Sequence, residues 1–153
     1  VLITAGDVAS TLAEGRAAFL VIATDTVLVT RADPTAPLPP LNPDGTRPPR
    51  TQKTVYQGPG RIQVRSDVNS NVVDVSIGGQ SVENSYQTAT VQIPVETPAG
   101  ATGSTANVRV DDTVKMISST HDPELNNRLW QVRALGNKSH ATSRRIRVTE
   151  AVA

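Results

Sequence analysis

Apolar and polar residues alternate one for one along several short stretches of the chain. In Gly60-Arg-Ile-Gln-Val-Arg65, Ile62 and Val64 share one face while Arg61, Gln63 and Arg65 share the other. A period of two predicts a strand with one buried face. The pattern returns at Ser85–Pro94, where Tyr86, Thr88, Thr90 and Gln92 oppose Gln87, Ala89, Val91 and Ile93. It recurs at Leu129–Leu135, with Trp130, Val132 and Ala134 on one face, and at Arg144–Glu150, linked through Gly136. In that last stretch Ile146 and Val148 face the core and Arg145 and Arg147 face outward. The β-branched run Thr26-Val-Leu-Val-Thr30 predicts a further strand. Val108–Val110 and Thr113–Ile117, turning at Asp111-Asp112, predict a hairpin-like element.

A helical period occurs over Asp7–Ala23, with Val8, Leu12, Ala18, Phe19 and Ile22 as its apolar stripe, Asp7 as its cap and Gly15 as a weak point. Asp122-Pro123-Glu124-Leu125 predicts a single helical turn. Residues 33–50 hold seven of the eleven prolines and cannot form a helix or a central strand. They predict an extended excursion between two strands, turning at Asn42-Pro43-Asp44-Gly45. Gly58-Pro59-Gly60 predicts a turn. Residues 66–85 predict a long loop or weak hairpin, and the Gly/Ala/Thr-rich 98–106 segment a flexible connection. The elements sum to one mainly β domain over 1–153: a small β-barrel or sandwich of six to eight strands with one N-terminal helix and long loops.

Phe19, Tyr56, Tyr86 and Trp130 are the only aromatic residues, so Val, Ile, Leu and Ala must fill the core. The absence of cysteine excludes disulfides and thiolate metal sites. No run approaches the length of a membrane span. With acids at Asp7 and Glu14 and no basic leader, the expectation is a soluble protein made in the cytoplasm. The net charge of +1 conceals a segregation. Residues 1–65 carry +2, residues 66–124 carry −6, and residues 125–149 carry +6. Blocks of opposite sign on one chain suit head-to-tail contact between copies.

Little in the chain points to catalysis. His121 and His140 are the two histidines, and neither has ligands at metal spacing. Ser139-His140 lacks an orienting acid and a nucleophile elbow. Gly136-Asn-Lys138-Ser139 lacks the upstream glycine of a phosphate loop, and β-like sequence follows it. No catalytic, cofactor or metal role is therefore assigned. The basic C-terminal row could neutralise phosphates. Binding of single strands would also need stacking platforms, for which Tyr56 and Tyr86 are the spare aromatics and Trp130 is expected in the core. An OB-like nucleic-acid-binding module is the alternative reading of the strand count and this row.

The order of elements also resembles a known family. Leu12-Ala-Glu-Gly-Arg-Ala-Ala18, Asp25-Thr-Val-Leu-Val-Thr-Arg31, Gly60-Arg-Ile-Gln-Val64, Val91-Gln-Ile-Pro-Val95, Val108-Arg-Val-Asp-Asp-Thr-Val114 and His121-Asp-Pro-Glu-Leu125 occur in turn. Lys138-Ser-His-Ala-Thr-Ser-Arg-Arg145 closes the series. Together they resemble the head-to-tail stopper, or head-closure, proteins of long-tailed actinobacterial phages. The Pro-rich insert 33–50 and the 98–106 segment depart from that pattern. The resemblance implies a structural virion protein, not an enzyme. It would form a homo-oligomeric ring, expected to be a hexamer, between the portal–adaptor complex and the tail terminator or tail tube protein. Such a ring closes the filled capsid around double-stranded DNA in its channel and docks the tail. It would sit in the virion neck after assembly in the host cytoplasm. On this reading Arg133, Arg144, Arg145, Arg147, Asp111 and Asp112 are expected at subunit contacts. Asp67, Asn69, Asn71, Gly78 and Gly79 are expected in a channel-facing or gating loop over 66–85, and 33–50 is expected to clasp a neighbour or an adjoining ring.

Overall fold

A computed structural model describes residues 2–64, 73–77, 80–84 and 87–151. Helix α1 spans Ala5–Ile22. Strands β1 (Asp25–Ala32), β2 (Gln52–Val64), β3 (Val73–Ile77), β4 (Gln80–Asn84) and β5 (Thr88–Pro94) follow. Then come β6 (Thr102–Gly103), β7 (Thr113–Ser118), β8 (Leu129–Gly136) and β9 (Ser143–Glu150). Short 3-10 turns occupy Thr105–Asn107 and Pro123–Leu125.

Six antiparallel strands run β1-β7-β8-β9-β5-β2, and β2 pairs back onto β1 to close a barrel. β6 adds a short strand along β2, and β3 pairs with β4 as a separate hairpin. Closure leaves the six wall strands no free edge, which removes a template for unwanted pairing. The interior is filled by one alternating face of each strand: Val27 and Val29, Tyr56 and Ile62, Ala89, Val91 and Ile93, Val114 and Met116, Trp130 and Val132, Ile146 and Val148. The alternation read in β5 and β9 holds. Trp130 lies wholly in the core with the Arg128 guanidinium 5.9 Å from its ring centroid, and its indole N–H has no acceptor among the described residues.

Two bulges and a change of partner strand alter three sequence expectations. In β8 an extra residue at Arg133 shifts the register, so Val132 faces Val148 while Ala134 faces Arg147. Ala134 therefore points outward with Arg147 instead of sharing the Trp130 face. A second bulge at Val55 lets both Val55 and Tyr56 be buried. Tyr56, expected to be spare, sits inside the wall with its hydroxyl donating to the Pro59 carbonyl at 2.7 Å, and burial pushes its phenol up to about 12. Gly58-Pro59-Gly60 is not a turn but lies within β2, which begins eight residues before the expected Gly60. There β2 leaves β1 and takes up β5: Asp25 pairs with Gly60, then Arg61 with Gln92. A Cβ at Gly60 would lie 2.6 Å from Val27 Cγ2, so the two wall strands approach too closely for a side chain.

The connections differ from expectation in detail. Residues 33–51 join the paired ends of β1 and β2, as an excursion should, and Asn42 exchanges bonds with Gly45 and Thr46 at the expected turn. The described part of 66–85 is the β3–β4 hairpin. Val108–Val110 forms no strand; Asp111, with φ of 73°, leads into β7 instead. The Pro123–Leu125 turn matches expectation, capped by Asp122 and anchored by buried Leu125.

Thr4, not Asp7, caps α1. Its hydroxyl accepts the Asp7 N–H at 3.2 Å while its own N–H donates to Asp7 Oδ2 at 2.7 Å, a reciprocal capping box. The Thr4 hydroxyl, donating to Asp7 Oδ2 at 2.7 Å, and after it the Thr4 N–H hold the Asp7 carboxyl below its ordinary value. The expected apolar stripe is largely uncovered: Phe19 is buried, Val8 and Leu12 are half-buried, and Ala18 and Ile22 are exposed. A closed barrel has already filled its interior with its own side chains, so α1 has only the outer wall to rest on.

Candidate functional site

Strand pairing assembles two polar rows on the outer wall. Arg61, Gln92, Arg145 and Gly136 stand side by side across β2, β5, β9 and β8; Gln63, Thr90, Arg147 and Ala134 form the next row. Their orientation follows from the inward burial of Ala89, Val91, Ile93, Ile146 and Val148 on the same strands. The connection 137–142 between β8 and β9 bends over these rows and brings Lys138 and His140 to them. His140 occupies the left-handed region, with φ of 58°.

A concavity of about 620 Å³ lies between this connection and the strands. Arg145, Arg147, Lys138 and His140 line it with Gln63, Thr90 and Gln92, and no carboxylate is among its described lining residues. Arg145 and Arg147 are exposed and have no carboxylate partner among the described residues. Two residues apart on one strand face, they stand about 6.6 Å from each other along the backbone. The cluster is donor-rich and positive, suited to a ligand with two or more anionic groups.

Helix α1 braces the connection that roofs the concavity. Arg16 Nε donates to the Ala141 carbonyl at 3.4 Å, and Arg16 Nη1 meets Glu96 at 2.9 Å. Thr142 packs so closely on Gly15 that a Cβ there would lie 2.7 Å from its Cγ2. The glycine that weakens the helical pattern is thus where the helix reaches the barrel.

The other residues named from sequence go elsewhere. Arg133, on its bulge, donates to Thr149 Oγ1 at 2.9 Å, and half-buried Arg144 donates to the Val95 carbonyl at 3.3 Å. Asp111 is exposed. Asp112 is not available to a neighbour: it is 2% exposed and holds Arg31 through two bonds of 2.7 and 2.8 Å. It also accepts the Arg109 N–H at 2.8 Å. This tie fastens the end of β1 to the segment entering β7, and the bond to Asp112 raises the Arg31 guanidinium further above its ordinary value. Its physical reason is that folding brings the Arg31 guanidinium of β1 beside the carboxylate, which the nearby Arg109 N–H also holds. Asp67, Asn69, Asn71, Gly78 and Gly79 lie outside the described residues.

Sequence reasoning missed Gln63, Thr90 and Gln92 as partners of Arg145 and Arg147. Their outward alternation was visible; the adjacency of β2, β5 and β9 was not.

At the far end of β8 the charge changes sign. Asp122 and Glu124 stand exposed on the Pro123–Leu125 turn just before β8, while the cationic connection follows its last residue. Arg128 and Glu150 pair with each other at 3.4 Å near the acidic end. Seven residue steps of strand separate Leu129 from Gly136, about 23 Å.

A family model matches residues 15–149. The chain belongs to DUF6093, a family of unknown function. The matched span starts at Gly15, the residue through which α1 meets the barrel, and ends in β9. No curated protein and no solved structure matches the chain.

Proposed function

We propose that this DUF6093 member is a structural subunit of a phage neck, a head-to-tail stopper that assembles into a ring of identical copies. The observation that carries this reading is the opposed charge at the two ends of one closed barrel. An acidic corner precedes β8 and a cationic concavity follows it. A closed ring needs heterologous contact, in which one patch meets a different patch on the next copy. A barrel with complementary ends supplies such a pair without exposing a strand edge.

Two further features support assembly over a solitary existence. Leu38 and Leu41 are exposed on the proline-stiffened excursion, and Leu20, Val21 and Ile22 are exposed on α1. A stiff arm loses less conformational freedom on docking than a flexible one.

The resemblance stated for the sequence supplies the setting: a ring, of six copies in that family, between portal–adaptor complex and tail. There it closes the head around its double-stranded DNA and docks the tail terminator or tail tube protein. Removing the gene from its phage should give filled heads that lose DNA and tails that fail to attach. Infectious tailed particles from that deletion would overturn the reading.

An OB-like nucleic-acid module remains the rival, favoured by the cationic concavity. Against it, Tyr56 and Trp130 are both enclosed in the core and offer no stacking face to bases.

A further inference from the structure

We infer that the cationic concavity is a socket for the Asp122-Pro123-Glu124 corner of a second copy of this chain. The inference rests on the ring reading and names the two surfaces that meet in it.

The socket suits an anionic occupant, and the described residues of the same copy place none in it. Its described lining holds Arg145, Arg147, Lys138 and His140 and no acid. Six described acids are already engaged within the chain: Asp112 with Arg31, Glu96 with Arg16, Glu150 with Arg128, and Asp7, Asp33 and Asp44 in local turns with Thr4, Thr35 and Thr46, while exposed Glu14 and Asp111 stand apart from any second exposed acid within their turn. The Asp122/Glu124 corner differs. It presents two exposed carboxylates within one turn and makes no ion pair with a described residue. Two cations on one strand face thus meet two anions on one turn.

The corner is also preorganised. Asp122 caps the turn by accepting the Glu124 N–H at 3.1 Å, and Pro123 restricts its backbone. Leu125 anchors it in the core, and Asn126 Oδ1 accepts the Ser119 N–H at 2.7 Å beneath it. A projection held this rigidly gives up little entropy on insertion. The roof of the socket is braced in turn by Arg16 and Gly15 of α1. Because corner and socket flank opposite ends of β8, a copy cannot fill its own socket. Each copy therefore offers one of each to different neighbours, which is the connectivity of a closed ring.

Charge reversal of the full-length chain tests the pairing. R145E/R147E has an acidic socket and an acidic corner; D122K/E124K has a basic socket and a basic corner. Each alone should lose self-association by roughly a hundredfold or more in light scattering, since like charges then face each other. Mixed one to one, every contact is complementary again, and rings alternating between the two variants should reappear by electron microscopy. Wild-type rings should loosen as salt rises. Circular dichroism and thermal melting of each variant keep loss of folding apart from loss of contact, and R145Q/R147Q supplies a milder substitution.

Variants that assemble like the wild type would overturn the inference and leave the ring standing. Failure of the mixture to recover assembly, with both variants folded, would do the same. A wild-type chain that stays monomeric at every concentration and salt would overturn both the socket and the ring. Salt-sensitive binding of a fluorescent DNA duplex, abolished in R145E/R147E while ring formation persists, would reassign the concavity to phosphates.

Discussion

The barrel wall and helix α1 are built on opposite principles. Each wall strand buries residues of one face, shares both edges with neighbours, and is held by residues distant in sequence. The helix hides little beyond Phe19, satisfies its first turn with its own Thr4–Asp7 box, and touches the barrel through Gly15, Arg16 and Phe19. Val21 on α1 is 77% exposed, whereas Val27, six residues later, is wholly buried. The same side chain is structural in one region and available for contact in the other. Stability thus resides in closure of the sheet, and surface for partners resides in what the closed sheet leaves uncovered.

The sharpest way to break that contrast is to empty the wall. Trp130→Ala should cost about 3–5 kcal/mol by denaturant unfolding, from lost burial and the cavity left behind. Val21→Ala on α1 should stay within about 0.5 kcal/mol. Equal losses at the two sites would refute the division of labour.

Next in size is the tie that locks β1 to the entry of β7. Arg31→Leu leaves the Asp112 carboxylate enclosed without its cation and should destabilise by about 2–4 kcal/mol, allowing for the partial exposure of Arg31. Adding Asp112→Leu should recover part of that loss. A double variant worse than the single one would mean that Asp112 stabilises the turn chiefly through its bond to the Arg109 N–H and not through Arg31.

Tyr56 gives the wall a pH limit that α1 lacks. Burial raises its phenol from 10.0 to about 12, so the folded state holds the proton more tightly than the unfolded chain. The contribution is fully present below pH 10 and disappears as pH climbs through about 12. Its size is about 2–3 kcal/mol from the two-unit difference. Tyr56→Phe should abolish this part of the alkaline transition while losing about 1 kcal/mol at neutral pH from the bond to Pro59. An unchanged alkaline profile in that variant would show that other groups govern it.

A smaller effect than these losses in the wall belongs to the helix cap. Thr4→Ala should cost about 1 kcal/mol or less, confined to α1. Hydrogen exchange should quicken in the first turns of the helix and stay unchanged in β5 and β9. Faster exchange across the barrel would mean that the helix supports the wall more than its contacts indicate.

How much of this was legible beforehand depended on the range of the forces involved. β5, β8 and β9 were readable because one-for-one alternation reports a half-buried face regardless of which strand lies alongside. The start of β2 was not, since Gln52-Lys-Thr and Gly58-Pro59-Gly60 carry turn and surface chemistry, and only pairing with β1 makes them a strand. Ala134 was placed on the wrong face because a bulge is one extra residue in one strand, a matter of register between partners. Asp112 looked like surface charge because its donors come from Arg31, 81 positions away, as well as from the nearby Arg109 amide. Of the candidate site, Arg145 and Arg147 were visible as an outward pair, but the concavity around them was not.

By itself the sequence determined a mainly β chain with one leading helix, a valine- and isoleucine-filled core around Trp130, a proline-stiffened excursion, and charge segregated along its length. These follow from local period, backbone restriction and composition, which act within a few residues. Only the tertiary structure decided that β2 returns to β1 and closes the barrel. Only it set Gln63, Thr90 and Gln92 beside Arg145 and Arg147, enclosed Tyr56 and Asp112, and put the acidic corner and the cationic concavity at opposite ends of β8. Those outcomes depend on which strands become neighbours, and that choice is made by burial and hydrogen bonding summed over the whole sheet.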